Sequence, residues 1–237
     1  MSLKLVNNVE CPNCKHKNPH YRLTCEKCNS YLRQRTVNID FWKTFWQIIY
    51  SPGETLRKII FAEHKNFSFL ISIFISVKIV LTILFLLNFF DVSKAEENFN
   101  LSAILLYSAI VMIIFITGEF IITKLNAWLG LKNRFKDNFA IGIYSFIPLI
   151  FSLFILTPIE YALFGNFWYV HNPSPFLLKP LSAYIIAGIE SGLFGWSLVL
   201  LIIANYVQTN NKIYSIIISI LQAVLIIAVP VYIILQT

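Results

Sequence analysis

Residues 67–90 read FSFLISIFISVKIVLTILFLLNFF, and Lys78 is the single charge among them. A helix needs about 20 consecutive apolar residues to cross the hydrocarbon core of a bilayer, so this run is long enough to span one. Four more of the same kind follow, at 101–123, 139–164, 181–207 and 213–235. The other source of such runs is the buried helices of a large soluble protein. A chain of 237 residues that is 57% hydrophobic and 13% charged has too little polar surface to enclose five of them. Mean hydropathy, at +0.67, points the same way. The fold class expected is an all-α transmembrane bundle of five helices. The polar, cysteine-bearing start of the chain lacks the apolar core of a signal peptide.

Lysine and arginine set the expected orientation, because they accumulate on the cytosolic side. Eleven of the 19 basic residues precede the first span. Lys124, Lys132, Arg134 and Lys136 follow the second, and Lys212 follows the fourth, whereas the loops after spans one and three carry only Lys94 and Lys179. The N-terminus is therefore expected in the cytosol and the C-terminus, after five spans, outside.

The four cysteines form two knuckles, Cys11-x2-Cys14 and Cys25-x2-Cys28. Paired CxxC motifs read as one tetrahedral zinc site, one ion per chain. A module over 1–35 is too small to bury a core, so metal binding would supply its folding energy. Disulfides are the competing reading, and a reducing cytosolic location argues against them. His16 and His20 are expected to face solvent, since four thiolates already close the site. Such a ribbon offers a docking surface for a cytosolic or membrane protein. Lys15, Lys17, Arg22 and Lys27 raise nucleic-acid binding, but four thiolates on zinc leave two net negative charges that offset them, so nucleic acid is not the expected partner.

Residues 36–66 form an amphipathic juxtamembrane segment between the ribbon and the transmembrane domain at 67–237. Phe41, Trp42, Phe45, Trp46 and Ile49 recur at helical spacing, with Lys43 and Gln47 opposite. Ser51-Pro52-Gly53-Glu54 reads as a second helix start, with Ser51 capping and Glu54 closing a capping box. Leu56, Ile59 and Ile60 make the apolar stripe of that helix. Aromatics beside basic residues suit the headgroup layer, and packing against the ends of the transmembrane helices suits them equally.

From here the chain resembles a known family. Tyr50-Ser51-Pro52-Gly53-Glu54-Thr55 is similar to the entry into a Yip-one domain, the module of the five-span Yip membrane proteins. Leu129-Gly130-Leu131, Phe135 and Ala140-Ile141-Gly142-Ile143-Tyr144-Ser145-Phe146-Ile147-Pro148 resemble the opening of that family's third helix. Gly195-Trp196-Ser197-Leu198-Val199-Leu200-Leu201 and the Lys212-led fifth helix continue the match in order. The resemblance implies a lipid bilayer, protein partners and self-association. Eukaryotic members act in membrane trafficking and bind Rab GTPases. A zinc-ribbon version looks prokaryotic, which would place it in a cytoplasmic membrane with no Rab to bind.

Charges inside spans are costly, so they are paired, snorkelling or functional. Glu119 and Glu160 lie toward span ends and read as interfacial. Lys78 and Glu190 reach similar mid-span depth and form an expected intramembrane charge pair, first as a structural ion pair and second as part of a pathway. Pro148 and Pro158 should kink span three. Gly188, Gly192 and Gly195 give span four a small-residue face for close helix packing, within the chain or in a homo-oligomer. The sequence holds no HExxH, GxSxG or phosphate loop, so no enzyme is expected. Asn100-Leu101-Ser102 matches a glycosylation sequon formally. Two functions remain: an adaptor whose ribbon docks a cytosolic partner, or a small ion or solute permease with a pathway past Lys78 and Glu190. The absence of inverted repeats weakens the second.

Overall fold

The computed structural model describes residues 5–90 and 100–236. Lys4, Lys94 and Thr237, which enter the orientation argument, lie outside the described residues. The ribbon holds the antiparallel strands β1 (Asn8–Glu10) and β2 (Lys17–Pro19), paired with Val9 opposite Asn18. Beyond residue 40 the described residues are mostly helical. Helices α1 (Phe41–Tyr50) and α2 (Pro52–Phe61) precede α3 (Ser68–Phe89) and α4 (Leu101–Trp128). Helices α5 (Phe135–Ser145) and α6 (Ile147–Phe151), a π-helical turn (Ser152–Leu156) and α7 (Thr157–Phe164) follow. Two single-turn helices, α8 (Phe167–Val170) and α9 (Pro175–Leu178), lead to α10 (Pro180–Thr209) and α11 (Lys212–Gln236). Among the described residues, five segments are long and apolar enough to cross a membrane: α3, α4, 147–164, α10 and α11. The chain is a multi-pass integral membrane protein, mostly helical, with a four-cysteine ribbon at its N-terminal end.

Compactness divides the chain into two units that are not consecutive in sequence. The first comprises residues 1–68, 117–145 and 200–220, and the second 69–116, 146–199 and 221–237. In the first, Leu5, Ile122, Leu131, Tyr214 and Ile218 form a buried cluster. In the second, Leu81, Phe164, Trp168, Tyr169, Ala183 and Ile186 do the same.

Helix α1 starts where the Asp40 carboxylate accepts from the Lys43 amide at 3.0 Å, an N-cap that satisfies one orphan donor. It buries Thr44 and Ile48, whereas Trp42, Trp46 and Tyr50 are exposed. The aromatic face therefore points outward. Helix α2 buries Leu56, Ile59 and Ile60. Its start departs from the expected capping box: the Ser51 hydroxyl donates back to the Gln47 carbonyl at 3.2 Å and makes no cap bond. The end of α1 and the start of α2 share Ser51, and the Gln47 carbonyl takes both its amide, at 2.8 Å, and its hydroxyl. Pro52, with no N–H to satisfy, opens α2 without one.

Span three is interrupted beside both of its prolines. Phe146 breaks it before Pro148, and the Thr157 amide reaches back five residues to the Ser152 carbonyl. A proline at 158 lacks an N–H and its ring would clash with the carbonyl four residues earlier, and a wider π-turn relieves both. Pro230 lies inside α11.

Candidate functional site

Two knuckle turns of matching geometry bring the cysteines together. In the first, the Cys11 amide donates to the His16 carbonyl at 3.0 Å, and the Lys15 amide to Cys11 at 3.0 Å. In the second, Cys25 donates to Ser30 at 2.9 Å and Asn29 to Cys25 at 3.1 Å. Lys15 and Asn29 each take a positive φ, 58° and 54°, which closes the turn. All four Sγ atoms lie within 4.8 Å of one another. The Cys11–Cys28 and Cys14–Cys25 separations are both 3.6 Å. Four sulfurs about 2.3 Å from a central ion stand about 3.8 Å apart, whereas a disulfide needs about 2.05 Å. The residues fit a tetrahedral metal ion. Hydrogen bonds from the Ser30 hydroxyl and the Cys14 backbone lower the Cys11 pKa to about 6. Cys14, despite a lowering bond from the His16 backbone, is pushed up to about 12 by burial and the neighbouring sulfurs. The four thiols by themselves therefore favour thiolate at Cys11 and not at Cys14.

One side of the ribbon is packed onto helix ends. The Asn7 amide donates to the carbonyls of Val207 and Gln208 at 3.0 and 2.8 Å. His20 is buried rather than solvent-facing, 7% exposed, with Nε2 3.1 Å from Gln208 Oε1. Burial, the leading cause, lowers its pKa and keeps the imidazole neutral. The Arg134 guanidinium lies 4.4 Å from the Tyr21 ring, and Arg33 donates to the carbonyls of Tyr21 at 2.9 Å and Phe61 at 3.2 Å. No periodicity reports such contacts, so the burial of His20 had no sequence signal. His16 is exposed. Elsewhere on the ribbon Val6, Val9 and Tyr31 are exposed.

Below it, Lys65 caps α2. Its ammonium donates to the carbonyls of Ile59, Ile60 and Ala62 and pairs with Asp137 at 2.9 Å. Asp137 also takes Arg134 at 2.6 Å. Burial pulls the Lys65 pKa down from the ordinary 10.5 to about 8, and Asp137 opposes it.

In the second unit a charge cluster lies within the membrane-spanning segments. Lys78 Nζ donates to Glu190 Oε1 at 2.8 Å and to Thr157 Oγ1 at 3.1 Å, and the Ser152 hydroxyl also donates to Glu190. Glu160 joins them. It is fully buried, 3.8 Å from Lys78, and accepts from the Tyr169 hydroxyl at 2.9 Å. It is buried rather than exposed at the end of its span, because the chain turns at Gly165 and folds Trp168 and Tyr169 over it. Ser152 and Thr157 flank the π-turn that Pro158 imposes. Glu119 is buried as well, its carboxylate against Gly142, and Lys124 instead sits 5.3 Å from the Phe120 ring. A Cβ on Gly188, Gly192 or Gly195 would meet nothing within 4 Å, so that face is open in a single chain.

The family model described as the Yip1 domain matches residues 46–235. The match takes in every membrane-spanning helix and begins after the four cysteines. Among curated proteins none matches, and no solved structure does.

Proposed function

The chain belongs to the Yip1 domain family, and on that premise we propose that it is a membrane-integral adaptor whose ribbon docks a cytosolic or membrane protein partner. The carrying observation is a ribbon that is fixed in place yet leaves apolar side chains exposed. Leu5, Asn7 and His20 hold one side against helix ends, while Val6, Val9 and Tyr31 remain exposed on the rest. Apolar side chains on a fixed surface are available to a partner without the entropy of ordering a free tail. The metal is zinc, one per chain, held by Cys11, Cys14, Cys25 and Cys28. Four thiolates leave no open position for substrate, so the site is structural and the chain is not an enzyme.

The basic-residue asymmetry and the thiolate site support a reading with the N-terminus in the cytosol and the C-terminus outside, in a prokaryotic cytoplasmic membrane. The open face along Gly188, Gly192 and Gly195 is where two copies would approach. A second reading, a small ion or solute permease past Lys78 and Glu190, draws on the cavity that those two residues line.

The test is affinity purification from the native membrane with the intact chain, the chain lacking residues 1–35, and Tyr31→Ala. A partner recovered with the intact chain and lost from both altered forms supports the adaptor. An unchanged partner set in all three overturns it.

A further inference from the structure

Inside the unit formed by residues 69–116, 146–199 and 221–237, a cavity of about 260 Å³ lies beside the charge cluster. Lys78, Glu160 and Glu190 supply its charged wall, and Phe85, Trp168 and Phe194 are among the apolar side chains lining the rest. One ammonium faces two carboxylates, so the fully ionised wall carries one uncompensated negative charge.

The hydrogen bonds show where that charge sits. Lys78 donates to Glu190 at 2.8 Å and stands 3.8 Å from Glu160, beyond hydrogen-bond reach. Glu160 Oε2 accepts from Tyr169, whereas Oε1 accepts from no group and its side chain is 0% exposed. A buried carboxylate oxygen with no hydrogen-bond donor, whose one counter-charge is already hydrogen-bonded to another carboxylate, is costly in an apolar surrounding. Oε1 has no surface open to the adjoining cavity, so a cation there would meet it through a turn of the Glu160 side chain and would then supply both the donor and the second counter-charge that it lacks.

The lining decides which cation. Metal ions such as calcium or magnesium take six or more oxygen ligands, and most of this wall is hydrocarbon. An alkylammonium group needs a carboxylate for its donors and an apolar bed for its body. Phe85 stacks on Trp168 with ring centroids 4.9 Å apart, and aromatic faces attract organic cations. We infer that this cavity is a binding site for a small primary-amine cation with an apolar body. Its ammonium donates to Glu160 Oε1, and its hydrocarbon part lies against Phe85, Trp168 and Phe194. The site does not rest on the adaptor reading: loss of a ribbon partner and loss of amine binding are separate results.

The full-length protein in lipid nanodiscs tests this by calorimetric titration with 2-phenylethylammonium chloride, with partition into empty nanodiscs subtracted. The uncharged 2-phenylethanol serves as the control. The expected result is a saturable isotherm for the ammonium and at least tenfold weaker binding of the alcohol. Glu160→Gln should weaken ammonium binding at least tenfold. Ala187→Leu, which narrows the cavity and leaves every charge in place, should weaken both probes alike. No saturable binding, equal affinity for ammonium and alcohol, or wild-type affinity in Glu160→Gln would overturn the site. Should Glu160→Gln not fold, the ammonium-to-alcohol ratio and Ala187→Leu decide.

Discussion

The ammonium of Lys78 reaches the carboxylate of Glu190 at 2.8 Å across 112 residues of chain, and Glu160 completes a three-charge cluster. Removing one member of a buried ion pair leaves the other uncompensated, so Lys78→Met should destabilise the protein by about 3 kcal/mol or more. The double variant Lys78→Met with Glu190→Leu should recover only part, because Glu160 is then left with no cation. Adding Glu160→Gln should recover most of the rest. Thermal unfolding of the three variants in one detergent checks the order, and a double variant as stable as the parent would show Glu160 to be irrelevant.

Metal removal is the next expectation. Cys11→Ser should abolish bound zinc, one per chain by elemental analysis in the parent. It should also open the ribbon to proteolysis while leaving the apolar helices inserted, since backbone hydrogen bonding in lipid does not depend on the metal. Because Asn7 and His20 tie the ribbon to Val207 and Gln208, amide exchange at the 207–212 turn should quicken. Full zinc content in Cys11→Ser would sink the four-ligand assignment.

Lys65 makes stability depend on pH. Its pKa falls from 10.5 when unfolded to about 8 when folded, so between those values the unfolded chain binds more protons. Stability should therefore rise as pH rises from about 8 to about 10.5. Lys65→Met should flatten that rise. A profile in which stability instead falls over this window, and is unchanged by the variant, would contradict the reading.

Gly142 and Gly118 give a matched pair. A Cβ at 142 would collide with the Glu119 carboxylate, whereas one at 118 meets nothing within 4 Å. Gly142→Ala should cost about 1–3 kcal/mol through overpacking. Gly118→Ala, inside α4, should be neutral or stabilising by up to about 1 kcal/mol through helix propensity. Equal effects in a thermal melt would remove the steric account.

Orientation can be read with a reporter fused after Thr237, expected to be active only outside the cytosol. Activity confined to the cytosol would mean an even number of crossings and would overturn the charge argument.

The helical fold was legible because each signal is local. Five apolar runs announce themselves by length alone, whatever their neighbours, and the two CxxC pairs carry their ligand spacing within single turns. Hidden features were those that depend on a distant partner. Ser51 carries a capping signature, yet its hydroxyl bonds to Gln47 because α1 ends where α2 begins. Glu160 looks interfacial by its place in the chain. Its role needs the Gly165 turn, which brings Tyr169 onto it, and a Lys78 side chain long enough to reach it.

By itself the sequence determined that this chain enters a bilayer, how often it crosses, and that four thiols gather at its N-terminal end. Lipid demands an apolar stretch of fixed length, and a metal demands ligands at fixed spacing; both demands are met one segment at a time. Only the tertiary structure decided which surfaces meet: Lys78 on two carboxylates, His20 of the ribbon on Gln208, Glu119 against Gly142. A helix buried in lipid is apolar nearly all the way round, so its rotation leaves no period in the sequence. Contact between side chains sets that rotation, and a few polar groups settle it.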